Sequence, residues 1–182
     1  MYHRIAAFLL GAWILGSLFM MFVATQNFQT VDRVLASAPP QAEQMIQTLG
    51  PARARDLLRY LAGEENQLFF VSWETAQLIV GVALAGVLFF GAHSRWLAGL
   101  AACLVVLTAF QHFQVTREMI ALSQSIDVQG APPGQFWRLH AVYGGIEVLK
   151  LALALVSAGL LLPQWGARSR TGVDVAAVKY AR

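Results

Sequence analysis

Between Ile5 and Val31 the chain carries no formally charged residue, and Ile5 to Thr25 is the hydrophobic part of that stretch. Such a run constrains the fold strongly, because a bilayer core of about 30 Å is crossed by a helix of about 20 apolar residues. Three more stretches of the same kind follow. Leu68 to Ala92 is interrupted only by Glu74, and Trp96 to Val115 carries His112 near its end. Phe136 to Leu162 carries Arg138, His140, Glu147 and Lys150, but its second half, from Leu151, is clean. Composition agrees: 57% of residues are apolar and only 13% charged, where soluble domains carry about 25% charge. Disorder and an ordinary soluble domain are both excluded.

The expected fold is therefore all-α: an integral membrane four-helix bundle forming a single domain over residues 1–182, with spans near 5–25, 68–92, 96–115 and 136–162. Arg4 resembles the basic start of a signal peptide. However, the apolar run after it is too long for one and no A-x-A step follows, so it reads as a retained span. The single cysteine, Cys103, excludes an intrachain disulfide and a cysteine-based zinc site.

Lys and Arg near span ends set orientation. One side holds Arg4, Arg95 and the tail cluster Arg168, Arg170, Lys179 and Arg182, nearly free of acids apart from Asp174. The other holds Arg33, Arg53, Arg55, Arg59 and Arg117, diluted by Asp32, Glu43, Asp56, Glu64, Glu65, Glu118 and Asp127. The first side is expected to be cytoplasmic, with both termini inside a bacterial-type plasma (inner) membrane and residues 163–182 as a cytoplasmic tail. The net charge of +3 is mostly a topology signal. A nucleic-acid partner would need a basic stripe with interleaved aromatics, which is absent. The expected partners are the lipid bilayer and other membrane-protein subunits.

The extracytoplasmic loop over 26–67 is expected to be partly helical. Turn signals stand at Pro39-Pro40, Gly50-Pro51 and Gly63, so Pro40–Leu49 and Pro51–Ala62 read as two short helices with proline near the start. Leu57, Leu58 and Leu61 share a face of the second, which suits either a helix on the membrane surface or a cap over the bundle. His93-Ser94-Arg95 makes spans two and three a tight antiparallel hairpin, and Gly130 to Gly134 reads as irregular. Small residues four apart (Ala12/Gly16, Gly81/Ala85, Gly99/Cys103, Ala154/Ala158) suit close helix packing. Trp73, Trp96, Trp137 and Trp165 read as interfacial anchors, whereas Trp13 falls mid-span.

Polar groups within spans are candidates for function, since a charge at mid-membrane costs about 2.5–3.5 kcal/mol on insertion scales. In span four, His140, Tyr143, Gly144, Glu147 and Leu151 are expected on one face, with Lys150 one turn from Glu147 and able to pair with it. Glu74, His112 and His140 fall toward the extracytoplasmic ends of their spans. The candidate cluster is thus Glu74, His112, His140, Tyr143, Glu147 and Lys150. It reads as interhelical hydrogen bonding, as a copper, zinc or haem site on His112 and His140 with or without Glu74, or as a polar path for a proton, ion or small solute through Glu74, Glu147, Lys150 and the histidines. His140 and Tyr143 also suit a quinone or lipid pocket. No P-loop, GxGxxG, HExxH, GxSxG or CxxC motif occurs, so no catalytic residue is assigned and the chain is not expected to be an enzyme.

Two stretches resemble a known family. Phe110-Gln-His-Phe-Gln-Val-Thr-Arg-Glu-Met119, and then Phe136-Trp-Arg-Leu-His-Ala141 leading into an apolar helix, resemble the second half of the transmembrane protein 205-like family, also described as domain of unknown function 4149. Thr116-Arg117, Phe136, Leu139 and His140 carry the match, and Gly11, Gly16 and Phe22-Val-Ala-Thr25 before Asn27-Phe28 resemble the family's opening. Prolines usual at Thr25-Gln26 and after Thr116 are replaced, Glu147 stands roughly where an asparagine is common, and the first loop is longer. The resemblance covers about the first thirty residues and residues 96–162. It implies a four-helix integral membrane protein with no established reaction.

Overall fold

The computed structural model describes residues 2–91, 94–124 and 134–180, with residue 124 and residues 162–180 as backbone only. Among the described residues there is no strand. The helices are α1 (Tyr2–Ala36), α2 (Pro40–Leu49), α3 (Pro51–Gly91), α4 (Arg95–Phe110), a π-helical segment (Gln111–Thr116), α5 (Arg117–Gln124) and α6 (Gly134–Tyr180). Four are long and apolar enough to cross a bilayer: Tyr2–Ala36, Pro51–Gly91, Arg95–Ser123 and Gly134–Leu161.

The helices outrun the expected spans. At 1.5 Å per residue, the 35 residues of α1 extend about 52 Å and the 41 of α3 about 62 Å. The expected loop over 26–67 is accordingly almost all helix: α1 continues to Ala36, and α3 runs unbroken from Pro51 through Gly63. Gly63 is no turn, because one glycine costs a helix only about 1 kcal/mol against alanine and the buried stripe carries on past it. That stripe comprises Ala54, Ala62, Asn66, Glu74, Gln77, Leu84 and Leu88, the 3.6-residue period of a single helix face. The true break is Gly50. Its φ of +91° is one that L side chains rarely adopt, and its N–H closes α2 onto Ile46 O at 2.9 Å. Pro51 then starts α3, where its missing N–H is harmless.

The chain forms two compact units. One gathers Met1–Leu15, Gln77–Ala109 and Glu147–Arg182. Its core is contributed by four helices: Ala6, Leu10 and Trp13 from α1, Leu84 and Leu88 from α3, Leu97, Ala101 and Leu104 from α4, and Ala154 and Leu161 from α6. Gly81 allows close packing there, since a Cβ would lie 2.9 Å from Val105 and 3.0 Å from Trp13. Trp13 is thus a core residue. Gly99 and Cys103 are exposed, so this small pair takes no part in packing among the described residues.

The second unit gathers Gly16–Ala76 and Phe110–Ile146. Trp73 packs within this unit: its ring lies directly over Gly16, where any Cβ would collide with it. Asn27 donates to Asn66 Oδ1 at 2.7 Å, and Asn66 donates to Ala24 O at 3.3 Å, joining α1 to α3. Gln67 donates to Ser123 at 2.7 Å, joining α3 to α5. None of α2 is buried.

The distribution of polarity is inverted relative to a soluble protein. Phe8, Phe89, Phe90 and Trp96 are 73–83% exposed, whereas Glu74, Gln77, Gln111 and Lys150 are 0% exposed. Large apolar side chains outward and polar ones inward is the arrangement that lipid selects. The chain is a multi-pass integral membrane protein. Trp96 and Trp137 stay exposed. The irregular Gly130 segment, His93, the Trp165 anchor and the basic side chains of the tail lie outside the described residues.

Candidate functional site

Each unit holds buried polar side chains. In the second unit the centre is Glu74, on the inward stripe of α3. His112 Nδ1 lies 2.9 Å from Glu74 Oε2, and Thr116 donates to Glu74 Oε1 at 2.6 Å. Both carboxylate oxygens are therefore engaged, as a 0%-exposed carboxyl requires. Both partners come from the π-helical segment. In an α-helix, residues five apart point about 140° away from each other at 3.6 residues per turn. The wider π turn brings Gln111 and Thr116 to one side, so Gln111, Val115 and Thr116 are all buried, with His112 beside them. Single π turns of this kind are frequent at functional sites.

The outer face of the segment is apolar and cationic. Phe113 is 49% exposed, meets the His112 ring edge-to-face at 4.8 Å between centroids, and carries the Arg117 guanidinium 5.4 Å from its centroid. On α6, Tyr143 is buried against Phe70 with centroids 5.2 Å apart. His140 is not inward with it. The imidazole is exposed, stacked on Phe136 (6.2 Å, 13°) and edge-on to Trp137 (5.9 Å). Gly144 is exposed as well. The inward stripe of α6 is instead Tyr143, Lys150, Ala154, Ser157 and Leu161. His140 sits one turn before that stripe but rotated outward.

In the first unit the centre is Lys150, 0% exposed. Its ammonium donates to Gln77 Oε1 at 2.7 Å and lies 2.7 Å from Glu147 Oε1, whose side chain is 13% exposed. A buried cation needs such a partner, because its desolvation exceeds what one neutral hydrogen bond returns.

The structure thus brings together Glu74 with His112, and Glu147 with Lys150. It does not bring His140 to either network. Gln77 and Asn66 do not stand out in the sequence, and Thr116 does so only within the Phe110–Met119 segment. Amide and hydroxyl residues carry no formal charge and stand out little in a hydropathy profile. Their signal was position: Asn66 and Gln77 recur with Glu74 on one helix face. Among the described residues no group of three or more His, Cys, Asp or Glu converges as a metal-holding set. Comparison with known proteins adds no relative: no family model, curated protein or solved structure matches the chain.

Proposed function

We propose that the chain is a non-enzymatic accessory or assembly component of the membrane, of the transmembrane protein 205-like kind that its Phe110–Met119 and Phe136–Ala141 segments resemble, with both termini cytoplasmic. One observation carries the reading. The buried ionisable side chains are spent on one another and on neighbouring helices: Glu74 on His112 and Thr116, Lys150 on Glu147 and Gln77. Polar contacts of this kind fix which helix faces meet. The outer surface is left to Phe8, Phe89, Phe90 and similar side chains, which suit lipid or the apolar flank of another membrane subunit. The tail cluster and Arg4 support the orientation.

The test is reconstitution of the purified chain in liposomes. Neither ion nor solute flux, nor substrate-dependent turnover, is expected above protein-free vesicles, and either one refutes the proposal. An absorption spectrum and metal analysis accompany it. A Soret band or stoichiometric copper or zinc, lost on His112→Ala or His140→Ala, would replace this reading with a haem- or metal-handling one.

A further inference from the structure

Glu74 and His112 have a consequence independent of that reading. Only one nitrogen of the His112 ring is engaged: Nδ1 faces Glu74, while Nε2 makes no hydrogen bond among the described residues and is not enclosed by the protein. The ring is 18% exposed and lies within the candidate span Arg95–Ser123. Beside it on the outer face stand Phe110 and Phe113, 51% and 49% exposed. The nearby cation, Arg117, is turned onto Phe113, and the one salt-bridge partner of Glu74 among the described residues is His112.

Proton counting then decides what Nε2 presents. An uncompensated charge in a low-dielectric span is costly, which favours an electrically neutral Glu74–His112 pair. Neutrality requires two protons on the pair, and Oε1 is already occupied as the acceptor of the Thr116 hydroxyl. One lies between Oε2 and Nδ1, whichever atom holds it, and the other is on Nε2. The carboxyl also fixes the ring's orientation, as carboxyl groups do for imidazoles that bind ligands through the far nitrogen.

We propose that the His112 Nε2–H is an oriented hydrogen-bond donor, open to the membrane, that binds the carbonyl oxygen of an uncharged bilayer-resident molecule. A carbonyl fits because it accepts without bringing a charge into the span, and Phe113 offers an apolar edge to what carries it. The carbonyl has two sources, a membrane-soluble quinone or the ester of a lipid chain. No covalent or redox step is part of the proposal.

The experiment uses the full-length chain, ¹⁵N-labelled at histidine, in a maltoside detergent. Decylubiquinone, ester-linked phosphatidylcholine and its ether-linked analogue are titrated separately while the His112 nitrogen resonances are followed. The expected result is a protonated Nε2 at neutral pH and a saturable shift with either decylubiquinone or the ester lipid. The ether analogue should leave it unmoved, and His112→Phe should weaken binding by about tenfold, the value of one hydrogen bond. A shift with the quinone alone identifies a quinone site, and a shift with the ester alone identifies a lipid site. An unprotonated Nε2, equal response to ester and ether lipids, or undiminished binding in a folded His112→Phe protein overturns the proposal. If that variant does not fold, the wild-type titration and the Nε2 protonation state decide alone.

Discussion

Lys150 offers a prediction in which magnitude and sign both follow from burial. Replacing Glu147 by Gln keeps the volume and removes the charge, so a 0%-exposed ammonium loses its carboxylate and keeps Gln77. Breaking a buried ion pair from one side costs about 3–5 kcal/mol, mostly the desolvation of the charge left behind. Because the ammonium left behind is wholly buried, Glu147→Gln should fall within that range. Lys150→Met takes the ammonium from a carboxylate that is 13% exposed and reaches water or headgroups more easily, so a smaller cost of about 1–3 kcal/mol is expected. The double variant strands no charge. It should lie within about 1.5 kcal/mol of wild type or be more stable, as apolar replacements of buried pairs often are. Reversible unfolding in mixed micelles, with SDS as denaturant and helicity as the readout, gives all three values in one double-mutant cycle. The reasoning fails if Lys150→Met is the costlier single change, or if the double variant loses as much as the two singles added.

Three more expectations follow from close contacts in the same structure. Gly16→Ala must displace the Trp73 indole and should cost about 1–3 kcal/mol, whereas Gly99→Ala, with nothing within 4 Å of the new Cβ, should be neutral or stabilising; the same SDS titration distinguishes them. Thr116→Val leaves Glu74 Oε1 without its 2.6 Å donor and should destabilise by about 1–3 kcal/mol, with the His112 resonances shifting; unchanged spectra would contradict the network. Trp13→Ala should cost about 3–5 kcal/mol. Trp13→Phe should cost much less, since the indole Nε1 is buried without a hydrogen-bond partner among the described residues; equal losses would mean that this N–H is bonded after all.

The sequence by itself determined the class of the protein. Four long apolar stretches, the proline starts of α2 and α3 and the glycine between them are local signals, each written in consecutive residues. The pairing of Lys150 with Glu147 was legible for the same reason, since three positions along a helix lie on one face. What sequence could not reach is nonlocal. Gly63 reads as a turn until Ala62 and Asn66 are seen buried on a helix that continues past it. His140 joins Glu147 on a helical wheel, but the packing of α6 turns it out against Phe136 and Trp137. Glu74 shows as a lone charge at any sequence spacing. Its partners, His112 and Thr116, lie 38 and 42 positions away, on a segment whose π turn leaves no mark in the hydropathy profile. Tertiary structure decided these because a buried polar group must find its partner wherever another helix supplies one, and the energy of the pair depends on that meeting rather than on neighbours in the chain.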